Sequence, residues 1–168
     1  VVAMVDDHAR RMHMGYGYSC HVCLLRPHSR GRVGLKSADP MAAPLIDPAY
    51  LSDRRDLDGM IAGTRLMRDI MEAAPLARYR KSELYPAGSS DAELEAAIRA
   101  RAETIYHPAG TCRMGGDEGS VVDPDLKVRG VDGLRVVDVS VMPTLIGGNT
   151  NAPVIAMAEK IAAEIRAG

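Results

Sequence analysis

Three stretches of the chain gather residue types that chemistry can use. The first, "HPAGTCRMGG" at residues 107–116, sets a histidine beside a hydroxyl and a thiol in a glycine-rich segment. Imidazole has a reference pKa of ~6.5, so His107 can take or release a proton near neutral pH. Pro108 restricts the residue before it to extended geometry, and glycines permit close backbone approach. Such a stretch presents a side chain from a shaped loop. The structural alternative for His107 is a ring that only caps the end of a preceding helix. The second stretch is the polar glycine loop "TLIGGNTN" at residues 144–151, between a β-rich run and a helix. Strand, glycine loop and helix together form the arrangement that binds cofactors at a helix N-terminus. The third is Cys20-His21-Val22-Cys23. A zinc site takes about four ligands and a single C-x-x-C supplies two. Two cysteines so spaced in a strand would point to opposite faces. Cys20, Cys23 and Cys112 are therefore expected to be small core residues, with no metal site.

Composition narrows the setting. The chain has 168 residues, 46% hydrophobic and 26% charged, enough for one domain or two small lobes with a true core. A formal charge of -1 gives no support to nucleic acid or an anionic membrane as a partner. No apolar run approaches the ~20 residues that span a bilayer. Three cysteines do not suggest a disulfide framework, so a reducing cytoplasm is expected. There is no Phe or Trp and there are ten Met, so aliphatic and thioether side chains must fill the core. The opening "VVAMVDDHARRMHMGYGYS" carries neither a start signal nor a clean first element, and reads as the middle of a longer protein.

Several elements must position the first two stretches. "SCHVCLLRP" (19–27) and "RVGLKS" (32–37) flank a polar loop and read as a hairpin. "ADPMAAPLIDPAY" holds Pro40, Pro44 and Pro48 and reads as an extended connector. Between residues 53 and 74, Leu57, Met60, Ile61, Thr64, Met67, Ile70, Met71 and Ala74 describe one stripe of an amphipathic helix, with Pro75 after its end. A second helix opens on a capping box, Ser90 with Glu93. Its stripe is Leu94, Ala97, Ile98, Ala102 and Ile105, and it is expected to end near His107. Leu134 to Val141 resembles a buried strand. The final helix carries Pro153 in its first turn and Gly168 beyond its end, with Ile155, Ala158, Ile161, Ala162 and Ile165 as its apolar face.

At the two loop sites the chain resembles the C-terminal portion of the glucose–methanol–choline (GMC) family of FAD-dependent oxidoreductases, especially choline and alcohol dehydrogenase-like members. The residues that carry the likeness are "HPAGTCRMG" (107–115), "GLRVVDVSVMP" (133–143) and "GGNTNAPVIAMAEKIA" (147–162), joined upstream by "LLRPHSRGRVGLKSADP" (24–40) and "IDPAYLSDRRDL" (46–57). Five such motifs in register make a specific, nearly chain-long match. The family's G-x-G-x-x-G turn, which receives the pyrophosphate of FAD, does not occur here.

The resemblance implies an α+β fold. An antiparallel sheet with helices would form part of the substrate-binding lobe over residues 1–105. Residues 106–168 would hold the catalytic loop and the closing strand and helix of a Rossmann-like FAD-binding lobe. It implies FAD in the full-length protein rather than in this chain alone, a small alcohol such as choline as substrate, and the missing N-terminal part as partner. His107 matches the catalytic histidine, a general base or alkoxide stabiliser. Asn149 falls where a second polar residue faces the same substrate atom, although a Gly-Asn sequence also suits a turn. Thr150 and Asn151, with Asn149, are the expected contacts to the flavin ring at the helix start. Asp138 and Val139 are expected at its ribityl–phosphate region, Asp138 being equally a strand-end residue. The rival reading is a catalytically silent folded module without cofactor, stabilised by self-association. A zinc-binding interaction module would rest on the cysteine pair alone.

Overall fold

The computed structural model describes residues 3–6 and 11–167, with side chains from residue 12 onward. The chain divides into two compact units. One comprises Val1–Leu24 and Leu51–Ile105, and the other Leu25–Tyr50 and Tyr106–Gly168. No helix among the described residues is long and apolar enough to cross a membrane.

In the first unit, strands β1 (Ala3–Asp6) and β2 (Arg11–Met14) pair antiparallel. Helix α1 (Arg54–Glu72) begins where Asp53 accepts a hydrogen bond from the Arg55 N–H. The Arg55 guanidinium returns to the same carboxylate at 2.6 Å. After α1 a short 3-10 turn, Ala74–Tyr79, starts on Pro75. Helix α2 (Asp91–Arg101) opens on the full capping box of Ser90 and Glu93. The Ser90 hydroxyl and backbone N–H hold the Glu93 carboxyl below its ordinary range. Leu57, Ile61, Leu94 and Ile98 form this unit's core, with Leu51, Met60 and Ala87 against it. Arg68 on α1 donates to the carbonyls of Ala87 and Gly88 at 3.0 Å each and to Glu83 at 3.1 Å, so α1 fastens the loop that leads into α2. His13 on β2 lies 2.7 Å from the Tyr85 hydroxyl, and the Arg101 guanidinium sits 3.4 Å over the Tyr85 ring.

In the second unit, β3 (Arg32–Gly34) pairs antiparallel with β4 (Leu45–Asp47). The remainder runs through turns and single bridges to helix α3 (Asn151–Ala167). Val122, Leu126, Val141 and Ile161 form its core, packed by Met114, Val128, Val136, Val137 and Met157. Both cores are aliphatic, with methionine filling at their edges.

Both capped helices form where the apolar spacing predicts. Other expectations are corrected. Residues 19–27 form no strand, and β3 pairs with residues 45–47 instead. Two prolines bracket Leu45–Asp47, yet its own N–H groups remain free to join a ladder. Among the described residues the antiparallel pairing is thus two separate two-stranded ladders, one in each unit, rather than one sheet with helices on a face. Leu134 to Val141 is not a strand either. It makes one bridge, Lys127 to Arg135, and then a short 3-10 turn at Val139–Val141. A buried strand needs hydrogen-bonding neighbours along its length, and left-handed backbone at Leu126, Gly130 and Gly133 breaks this region into turns. Helix α2 stops at Arg101, short of His107, because Ala102 is already extended. Along α3 only Ile161 is buried, while Ile155 and Ile165 stay exposed. Gly168 lies outside the described residues. Cys20 and Cys23 are exposed and Cys112 is half-buried, so none is a core residue.

This burial map is testable by substitution. Leu94→Ala removes a side chain only 1% exposed and is expected to cost about 3 kcal/mol of stability. Ile155→Ala, at 54% exposure, is expected to stay within about 0.5 kcal/mol. Urea unfolding of the two variants measures both.

Candidate functional site

The loop that carries His107 begins with strained backbone. Tyr106 sits at φ 64, a left-handed conformation that costs an L-residue roughly 1–2 kcal/mol. Pro108 follows the histidine at once, so the ring is delivered between two residues of restricted geometry. The loop is then tied down through its backbone. Cys112 N–H donates to the Ser140 carbonyl at 3.0 Å, and Met114 N–H to the Val141 carbonyl at 2.8 Å. Gly110 has φ 86, and a Cβ there would stand 3.3 Å from the Met142 carbonyl oxygen. Only glycine suits that position without strain.

The anchor strip has its own local order. Asp138 accepts a hydrogen bond from the Ser140 N–H at 2.7 Å and so caps the 3-10 turn Val139–Val141. Its carboxylate is exposed and Val139 is half-buried. On the far side of the loop, Arg113 clasps Asp117 with two hydrogen bonds, at 2.9 and 2.6 Å. These bonds, with the Arg113 charge and the Gly119 N–H, lower the Asp117 pKa to about 2. Beneath the clasp the buried Ser120 hydroxyl donates toward the carbonyls of Gly115 and Asp117, and Arg129 Nε donates to it at 2.9 Å.

Opposite the histidine stands the start of α3. The Thr150 hydroxyl lies 3.5 Å from His107 Nδ1, a long hydrogen bond between residues 43 apart. Thr150 is only 9% exposed, whereas His107, Asn149 and Asn151 are exposed. The Thr150 carbonyl accepts from the Val154 N–H at 3.1 Å, as the residue before a helix should. Its hydroxyl is given to the ring instead of to the first-turn N–H groups. Those of Asn151 and Ala152 have no partner within the helix, and Pro153 has none to offer. The exposed Arg26 guanidinium lies over the same loop, with its Nη2 3.1 Å from where a Cβ on Gly147 would be.

The structure therefore brings His107 together with Thr150, and with it the first turn of α3. Asp138 and Val139 lie in the strip that anchors the histidine loop. Reading the sequence missed three features: the strained Tyr106, the Arg113–Asp117 clasp and the turn of Thr150 toward the ring. The i, i+4 spacing of opposite charges could have revealed the clasp. A threonine ahead of a helix signals a cap by type and position, so residue type carries no sign of the contact with the ring. Among the described residues no group of three or more His, Cys, Asp or Glu side chains could hold a metal ion. A cavity of about 320 Å³ lined by Asp123, Lys127, Asp132 and Arg135, among others, contains none of these residues.

An exposed imidazole, an amide one residue from its hydroxyl partner and a helix start with free N–H groups can hold a hydroxyl and accept its proton. The chain matches the GMC oxidoreductase family over residues 27–158. It is 59% identical over 163 residues to an alcohol dehydrogenase [acceptor] of Pseudomonas putida, covering 96% of this chain and 29% of that protein. It is 48% identical over 153 residues to an oxygen-dependent choline dehydrogenase of Burkholderia thailandensis, covering 90% and 27%. The crystal structure of pyridoxine 4-oxidase from Mesorbium loti superimposes with a TM-score of 0.81 at 38% identity, covering 86% of this chain and 28% of that one. The chain belongs to the GMC oxidoreductase family and corresponds to its C-terminal domain. It spans under a third of the length of the curated relatives it matches.

Two measurements probe the loop. Gly110→Ala is expected to cost about 1–2 kcal/mol through left-handed strain, read as a lowered thermal midpoint. Asp117, whose folded pKa lies below its unfolded value, adds stability that is fully present above pH ~4 and is lost as pH falls through about 2. The gap in thermal midpoint between the parent chain and Asp117→Asn should thus narrow as pH is lowered from 5 to 2.

Proposed function

We propose that this chain is the C-terminal part of a longer FAD-dependent oxidoreductase that converts a primary alcohol, choline or a similar small alcohol, to its aldehyde. One observation carries the reading: His107 and the first turn of α3, which lie in two separate family motifs, meet through the 3.5 Å contact of the ring with Thr150. Family membership supports FAD as the cofactor. The donor set fits it. With the Thr150 hydroxyl turned to His107, the N–H groups opening α3 and the positive end of its dipole remain for an electron-rich ring edge. When bound, FAD supplies the hydride acceptor.

The residues of this chain would do the rest. His107 takes the substrate's hydroxyl proton, since hydride leaves an alkoxide far more readily than a neutral alcohol. Asn149, exposed beside Thr150, offers the same oxygen a hydrogen bond without titrating. The N–H groups of Asn151 and its neighbours hold the cofactor edge, and Asp138 and Val139 contribute backbone near its ribityl chain. We assign α3 and the histidine loop to the FAD-binding lobe and residues 1–105 to the substrate lobe, noting that residues 25–50 group with the C-terminal unit. The absent G-x-G-x-x-G turn would come from the N-terminal part of the same protein. The exposed Ile155 and Ile165 on α3 are consistent with further protein.

The 168 residues contain no pyrophosphate-binding G-x-G-x-x-G turn. The purified 168-residue chain is expected to be colourless. Flavin absorption bands in that preparation would show that it binds FAD unaided.

The test of the proposed chemistry uses the full-length enzyme. His107→Ala should slow flavin reduction by the alcohol about 100- to 10,000-fold while FAD stays bound. Reduction at a near-normal rate would remove His107 from the mechanism.

A further inference from the structure

We infer that Thr150 is a positioning residue: its hydroxyl accepts the Nδ1 proton of His107 and so leaves the Nε2 lone pair free to take the substrate's proton. The inference rests on the reading of His107 as the base, and goes beyond it by naming what selects the reactive nitrogen.

A neutral imidazole carries a single N–H, and its tautomer is set by the partner of the other nitrogen. Here Nδ1 faces the Thr150 hydroxyl at 3.5 Å. Thr150 is buried and the histidine as a whole is exposed, so with Nδ1 engaged by the buried hydroxyl the nitrogen left for an incoming hydroxyl is Nε2. A base must present a lone pair there, and the ring proton must then reside on Nδ1. The Thr150 oxygen is placed to accept it. Bonds of this kind are often long in an enzyme without substrate and tighten when it binds.

A second observation concerns the helix. Threonine in this position normally gives its oxygen to the N–H two or three residues on. Among the described residues, the hydrogen bond of the Thr150 side chain runs to His107 instead. One side chain thereby sets the tautomer and leaves the helix start open. The approach is held from both sides, by left-handed Tyr106 and Pro108 along the loop and by the Val154 bond to the Thr150 carbonyl.

The experiment is a long-range 1H–15N correlation spectrum of the 15N-labelled chain, followed up in pH until the His107 ring signals are those of a neutral imidazole. The His107 signals are identified by their loss in His107→Ala. The parent chain is expected to show a protonated Nδ1 and a bare Nε2. Thr150→Val, nearly equal in shape but without the oxygen, should shift the ring toward the Nε2–H form, and Thr150→Ser should restore Nδ1–H. In the full-length enzyme, Thr150→Val should slow flavin reduction about tenfold with alcohol affinity unchanged within about twofold. An Nε2–H ring in the parent chain, or an Nδ1–H ring that persists in Thr150→Val, overturns the inference. If Thr150→Val does not fold, the parent tautomer alone decides. A persistent Nδ1–H in Thr150→Val with a crippled His107→Ala enzyme defeats this proposal and spares the base, whereas an unimpaired His107→Ala enzyme defeats the base itself.

Discussion

Two backbone hydrogen bonds, from Cys112 to Ser140 and from Met114 to Val141, let an irregular loop behave as a fixed support. A segment with Pro108 and Gly110 in it cannot hold a side chain still by its own regularity. It borrows rigidity from residues 138–142, where Val141 is fully buried in the core with Val122, Leu126 and Ile161. Val141 thus does two things at once: its side chain fills the core and its carbonyl receives the loop. Ile161 lies on α3, so the same core also fixes the helix whose start meets the histidine. Placement of His107 therefore follows from packing several residues away.

The core is built without phenylalanine or tryptophan, and its small aliphatic side chains suit a unit made largely of turns. Branched residues such as Val122 and Val141 adopt few rotamers, which favours definite packing over a short span. Methionines at the margins, Met114 and Met157, fill the irregular gaps such a unit leaves. The exposed Ile155 and Ile165 mark where this supply of partners stops. They sit on the same helix as Ile161, so α3 is half integrated into its unit and half bare.

What the sequence made legible was whatever is local. The caps at Asp53 and at Ser90 with Glu93 depend on contacts within a few residues, and both helices formed there. The histidine motif and the helix start were visible as residue types at a spacing. Pairing over longer distances was not. Residues 19–27 have the composition of a strand, but ladder partners are chosen by which segments can reach, and residues 45–47 reached β3. Leu134 to Val141 reads as a strand by side chain, yet left-handed turns at Gly130 and Gly133 leave it one bridge. The cysteines failed for a related reason: a small apolar side chain is buried only where something covers it. Thr150 was named as a residue of the helix start, but the turn of its hydroxyl toward the His107 ring, 43 residues away, had no local signal.

That last difference shows how the site works against local preference. Giving up a side-chain cap costs a helix about 1 kcal/mol, and Tyr106 in the left-handed region costs a similar amount. Neither cost serves the stability of α3 or of the loop taken alone. Both follow once a ring must be held at one nitrogen while donors at the helix start stay unspent. Strain next to His107 and a diverted cap opposite it are two sides of one contact. Local rules are broken at the contact on which the proposed chemistry rests, and the aliphatic core a few residues away supplies the stability that makes the exception tolerable.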